Sequence, residues 1–176
     1  SYRGLGVSGV AGPCAGPTVL EILNILEQFD LAGMGHGSAD FLHTMIEAVK
    51  LAAVDRFNFM GDPAVYGFPI DVLADIEYAK SRASVIDSSQ ASEFAAGDPW
   101  SFAGVERPAD FPSHAGSAPD NGTTSLTTAD KHGNMVALTQ TNLAFSGVIN
   151  PGVGVMMNDA MGWSAPMPGT VNSIAP

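Results

Sequence analysis

Asp120-Asn121-Gly122-Thr123-Thr124-Ser125 runs on through Asp130-Lys131-His132-Gly133-Asn134 to Thr139-Gln140-Thr141, and this stretch decides how the chain reads. A turn-prone tripeptide ends at Gly122 and two threonines follow. Ser125 to Thr128 reads as a strand, residues 130–134 as a hairpin turn, and Met135 to Thr141 as the returning strand. Further on, Val153 to Met157 reads as a third, apolar strand.

Upstream of the junction the texture is helical. Residues 87–122 are rich in Ser, Ala, Gly, Pro and Asp and lack strong periodicity. They read as a long exposed linker within reach of proteolysis. Before it, Pro69 opens a helix with Val72, Leu73, Ile76 and Ala79 on its apolar face. Gly61-Asp62-Pro63 is a turn. Ser38 caps a helix running to about Asn58, with Phe41, Leu42, Met45, Ile46, Val49 and Ala53 expected inside. Glu47 and Lys50 are expected on its opposite side. Thr18-Val19-Leu20-Glu21 matches a capping box, with Thr18 as N-cap and Glu21 three residues on. Leu20, Leu23 and Leu26, with Val19, Ile22, Ile25 and Phe29, give that helix apolar residues on most sides as far as Leu31. Residues 2–10 read as extended. Helices followed by strands argue for an α+β body.

The 176 residues are enough for one domain with a sizeable core. Eighteen acidic residues stand against 7 Lys and Arg, a net charge of -11, which repels phosphate backbones and argues against nucleic-acid partners. Only 14% of residues are charged, and Gly and Pro are frequent, which suits a piece of a larger body. Cys14 is the single cysteine, so neither an intrachain disulfide nor a thiolate metal cluster is available. No apolar run approaches the ~18 residues of a membrane span. Ser1-Tyr2-Arg3 does not resemble a secretion signal, and a longer parent chain is left open.

The junction carries a specific chemistry. A threonine hydroxyl is a poor nucleophile with no base at hand. If the bond before Thr123 is cut, the new α-amine lies within reach of its own hydroxyl. An α-amine titrates near pH ~7.7–8 and can take the hydroxyl proton at neutral pH. Gly122-Thr123 is therefore a candidate self-cleavage site, and Thr123 the resulting nucleophile. Other motifs weigh less. Gly4-Leu5-Gly6-Val7-Ser8-Gly9 matches a dinucleotide fingerprint, but too little chain precedes it, and Pro13 and Pro17 push any helix too far along. His36, His43, His114 and His132 are scattered and form no motif with Cys14 or a metal-ligand pattern. Asn121-Gly122-Thr123 also fits the weak N-glycosylation pattern.

Together these stretches resemble the γ-glutamyltransferase (γ-glutamyl transpeptidase) family of N-terminal-nucleophile hydrolases. The resemblance rests on Thr123-Thr124, Asp130-Lys131-His132-Gly133-Asn134, Thr139-Gln140-Thr141 and Pro151 to Asp159. Upstream it rests on Pro17 to Asp30, Gly37-Ser38-Ala39-Asp40, Asp55-Arg56 and Gly61-Asp62-Pro63. It implies part of an αββα four-layer sandwich. Residues 1–122 would be the end of a large subunit and residues 123–176 the start of a small one. It implies autocleavage between Gly122 and Thr123, with Thr141 hydrogen-bonding and orienting the nucleophile and Asn142 as a candidate substrate contact. No cofactor or metal is implied. The partners are a small-molecule amide, γ-glutamyl or related, and the remaining subunit segments. By the family pattern those segments hold an arginine upstream of Ser1 and, beyond Pro176, paired serines and the glycine pair of the oxyanion hole, so this stretch alone is expected to be inactive. A periplasmic or extracellular setting is implied by resemblance only; the residues leave a cytoplasmic one open.

The departures from the family pattern concern the acyl pocket. Ser125 stands where members often have His, and Leu143 stands at an Asn position, with Asn142 one place early. The positions of two acidic or amide residues that hold the glutamyl ammonium group read Ala160 and Trp163. An ammonium without a carboxylate partner binds poorly. An acyl group lacking the α-amine is therefore the expected substrate. The alternative is a non-catalytic or unprocessed homologue that serves as a binding or scaffold module.

Overall fold

The computed structural model describes residues 1–12, 14–62, 67–112, 123–141, 145–158 and 168–171. It mixes helices with strands, the α+β class expected. Two compact units divide the chain: Ser1–Ala115 with Met167–Pro176, and Gly116–Pro166.

The first unit is helical. Helix α1 spans Gly16–Leu26, α2 Leu31–Met34 and α3 Ala39–Phe59. A 3-10 helix, Ile70–Ala74, precedes α4 (Ile76–Ala83) and α5 (Pro99–Ala103). Ile25, Leu26, Leu31, Ala48, Leu51, Ala79 and Ala83 form the buried cluster where α1, α3 and α4 meet. Around α5, Trp100 packs edge-on against Phe59 at 5.2 Å and Phe111 at 4.6 Å between ring centroids. Thr170 and Val171 are buried in this unit.

Several expectations change here. Residues 2–5 are a tight turn, with Tyr2 and Leu5 bridged, rather than the start of an extended run. The capping box at Thr18 does not form. Pro17 sits in the first turn, α1 starts at Gly16, and no side chain caps it. Thr18 is therefore already inside the helix, where its hydroxyl donates to Met60 Sδ and accepts from Arg56. Glu21 turns into the core and is fully buried. On α3, Ser38 caps as expected, accepting from the Phe41 N–H. The buried face, however, is Thr44, Glu47, Ala48, Leu51, Ala52, Asp55 and Phe59. Leu42, Ile46 and Val49, expected inside, are about half exposed. Glu47, expected outside, is buried because it accepts from Lys50 Nζ and from the Ser92 N–H. The helix expected after Pro69 is interrupted at Asp75, whose carboxylate accepts from the N–H groups of Glu77 and Tyr78 and starts α4 afresh.

Residues 87–112 are not a free linker. His43 Nε2 donates to the Asp87 carbonyl at 2.8 Å. Lys50 Nζ donates to the Ser92 carbonyl, and Asp55 accepts from the Gly97 N–H at 2.7 Å. These α3 side chains hold residues 87–97 as a strap. Polar composition hid this, because the strap is held largely through its backbone groups, with Phe94 packed on the core.

The second unit contains two hairpins. β1 (Thr124–Ala129) pairs antiparallel with β2 (Met135–Gln140), and β3 (Phe145–Ile149) with β4 (Met156–Asn158). β3 was not anticipated. Its register with β4 is irregular, and Gly147 adopts φ 84°, which breaks the alternation that a sequence reading relies on. The expected strand from Val153 is shorter, since residues 150–155 form the turn, closed by Asn150 N–H to the Val155 carbonyl at 2.9 Å.

Candidate active site

The β1–β2 hairpin begins from its turn. Asp130 Oδ1 accepts from the N–H groups of His132 and Asn134, at 2.8 and 2.9 Å, and Oδ2 accepts from Asn134 Nδ2 at 2.7 Å. Gly133 takes φ 85°, the left-handed position this turn requires. The Asn134 side chain, then its backbone N–H, holds the Asp130 carboxyl below its ordinary pKa. Aspartate and glycine at these places thus fix the turn, and the turn fixes the register.

That register pairs Thr124 with Gln140, Ser125 with Thr139, Leu126 with Leu138 and Thr128 with Val136. Directly opposed residues share a face of the ladder. One face carries Thr124, Leu126 and Thr128 opposite Gln140, Leu138 and Val136. The other carries Ser125, Thr127 and Ala129 opposite Thr139, Ala137 and Met135. Thr123 and Thr141 flank the ladder, each one residue beyond its last pair, Thr124 with Gln140. Thr123 is exposed and Thr141 half-buried. The family resemblance already implies that Thr141 orients Thr123. Ser125 and Thr139, on the same face between them and the turn, went unassigned. The period-2 spacing Thr123, Ser125, Thr127 was the available signal.

Gly122, Asn142, Leu143, Ala160 and Trp163 lie outside the described residues. Arrangement of the first two with Thr123, and of the others with any acyl pocket, is therefore carried by sequence alone. In the helical unit, a shallow cleft of about 470 Å³ is lined mainly by Leu23, Leu26, Leu31, Phe41 and Met45. Tyr2, Arg3 and His36 also line it, and neither Thr123 nor Thr141 does. No helix among the described residues is long and apolar enough to cross a membrane.

A threonine hydroxyl with a free amine to accept its proton is a nucleophile suited to acyl transfer. Comparison with known proteins points to the same class. The gamma-glutamyltranspeptidase family model matches residues 1–176. An acylase ACY 1 proenzyme from Pseudomonas sp. (strain SE83) is 36% identical over 179 residues, covering 100% of this chain and 29% of that protein. The glutathione hydrolase proenzyme of Escherichia coli (strain K12) is 36% identical over 174 residues, 97% of this chain and 28% of that protein. The crystal structure of cephalosporin acylase from Bacillus halodurans aligns with TM-score 0.66 at 26% identity, over 91% of this chain and 25% of that one. The chain thus spans about three-tenths of the length of the curated relatives it matches.

Proposed function

The chain belongs to the gamma-glutamyltranspeptidase family, and from that premise we propose that it carries the self-cleavage junction and nucleophile of an amide hydrolase or acyl transferase. In this reading residues 1–122 end the large subunit of an αββα sandwich and residues 123–176 begin the small one. The observation that supports it is the hairpin register, whose last pair, Thr124 with Gln140, leaves Thr123 and Thr141 one residue beyond the paired strands. Two relatives that cover the whole chain or nearly so are proenzymes by name.

Maturation begins when the Thr123 hydroxyl attacks the Gly122 carbonyl carbon. The carbon–nitrogen bond breaks, the Thr123 nitrogen takes a proton, and an ester replaces the amide. Water then cleaves the ester, leaving a carboxylate at Gly122 and a free α-amine on Thr123. In turnover, that amine takes the hydroxyl proton as Oγ1 attacks an amide substrate. The same proton passes to the leaving amine, and an acyl ester on Thr123 remains. Water or an amine acceptor releases the acyl group. Thr141 acts as a positioning residue that holds the nucleophile. Asn142 is a candidate acyl contact.

The acyl donor we assign is a dicarboxylic monoamide rather than a γ-glutamyl amide. Ala160 and Trp163 stand where the resemblance places partners for a glutamyl ammonium. Relatives named acylase and cephalosporin acylase fit a family that accepts acyl groups other than glutamyl. The test compares a γ-glutamyl anilide with its deaminated glutaryl analogue on the full-length protein. The expected outcome is at least tenfold higher kcat/KM for the glutaryl compound, about 1.4 kcal/mol in the transition state. Equal or better turnover of the γ-glutamyl compound overturns the substrate assignment. Retention of both activities by Thr123→Ala overturns the mechanism.

A further inference from the structure

Glu21 is fully buried on α1, and neither carboxyl oxygen has a hydrogen-bond partner. It faces a second fully buried carboxyl, Asp55 of α3. Asp55 already accepts three hydrogen bonds, which leaves room for one more on Oδ2. Its Oδ2 accepts from Tyr78 Oη at 2.8 Å, and its Oδ1 accepts from Arg82 Nη2 at 3.1 Å and from the Gly97 N–H at 2.7 Å. Arg82, on α4, also donates to the Ala95 carbonyl of the strap at 3.0 Å. One guanidinium therefore faces two carboxyls. Arg56, the other nearby cation on α3, is turned to Thr18 Oγ1 at 3.4 Å. The 3-10 helix that packs on α1 contributes buried Val72 and Leu73, while its Asp71 and the following Asp75 are exposed.

An isolated carboxylate at such a place is far costlier than a neutral acid. Asp55, with three donors and Arg82, is the site of the negative charge. We propose that Glu21 is held as a neutral carboxylic acid against the Asp55 carboxylate, and that this pair is an alkali-sensitive latch joining α1 to α3, α4 and the strap. Ionisation of Glu21 would place two negative charges around one guanidinium and push α1 off the seam. Burial first, and then the charge of Asp55, raises the Glu21 carboxyl well above its ordinary range, against the opposing pull of Arg82.

The direction of the pH effect follows from linkage. The folded-state pKa is raised, so the folded protein keeps a proton that the unfolded chain releases above the ordinary glutamate value of ~4.3. The latch is at full strength below that pH. Its contribution falls as pH rises, until Glu21 ionises in the folded state too. Over that window the unfolding constant gains up to about tenfold per pH unit relative to a chain with no proton to lose there.

The glutamine isostere supplies that reference. Thermal and urea unfolding of full-length wild type and Glu21→Gln is followed from pH 5 to 9, with the infrared carboxylic C=O band recorded on the same samples. The expected result is a stability advantage of Glu21→Gln that widens with pH, and a protonated-carboxyl band at pH 7 that the variant lacks. Asp55→Asn gives an independent check. With the neighbouring charge removed and Arg82 left to face Glu21, the pH at which the band disappears is expected to fall. Parallel stability profiles of wild type and Glu21→Gln, or identical bands at pH 7, overturn the proposal. So does an Asp55→Asn variant that folds and keeps the band up to the same pH as wild type. None of these readouts depends on catalysis.

Discussion

Thr141 has one hydroxyl with which to influence Thr123, and removing it tests whether the two act together. Thr141→Ala in the full-length protein is expected to slow both self-cleavage and turnover by about ten- to a hundredfold, the worth of one hydrogen bond to a charged or developing group. Thr141→Ser, which keeps the oxygen, is expected to restore most of the rate. Single-turnover kinetics and the time course of chain cleavage read both effects. Thr123 and Thr141 stand out in the sequence because the proposed chemistry needs a hydroxyl just after a cleavable turn and because they bracket a hairpin. Glu21 was legible as a residue and misread in its role. Thr18-Val19-Leu20-Glu21 satisfies the capping pattern, but Pro17 fits the first helical turn and starts the helix earlier. The displaced glutamate then lies on the inner face, where local pattern gives no hint of a partner from α3.

Among the elements, α3 is the organiser of the helical unit. Its Phe59 meets Trp100 of α5, and its Glu47, Lys50 and Asp55 hold the strap. Gly97 is required where the strap crosses α4, because a Cβ there would collide with the Tyr78 hydroxyl that donates to Asp55. Trp100 is 3% exposed and closes this arrangement. Trp100→Ala is expected to cost about 3–5 kcal/mol, the range for truncating a buried aromatic, read as a lower urea midpoint. The extent of α3 was legible from its Ser38 cap and long apolar repeat. Its inward face was not. Leu42, Ile46 and Val49 form as good an apolar stripe as Ala48, Leu51 and Ala52, and the partners that Glu47 and Asp55 find favour the second face. The β1–β2 hairpin was the clearest element, since Asp130 and Gly133 dictate their turn by local chemistry.

For the molecule as a whole, the family and the α+β class followed from motif order, because hairpin, turn and helix signals recur along the chain in one sequence. The boundary between its parts is harder to read, since a strap fixed by backbone hydrogen bonds resembles a linker in composition. The central claim is that Gly122-Thr123 is a cleaved bond whose product is the nucleophile. Intact mass and N-terminal sequencing of the purified full-length protein test it most directly. The account predicts two polypeptides, one beginning at Thr123, and a single uncut chain for Thr123→Ala. A wild-type protein that turns over its amide substrate as one uncut chain, or a fragment that begins at any residue other than Thr123, would contradict it.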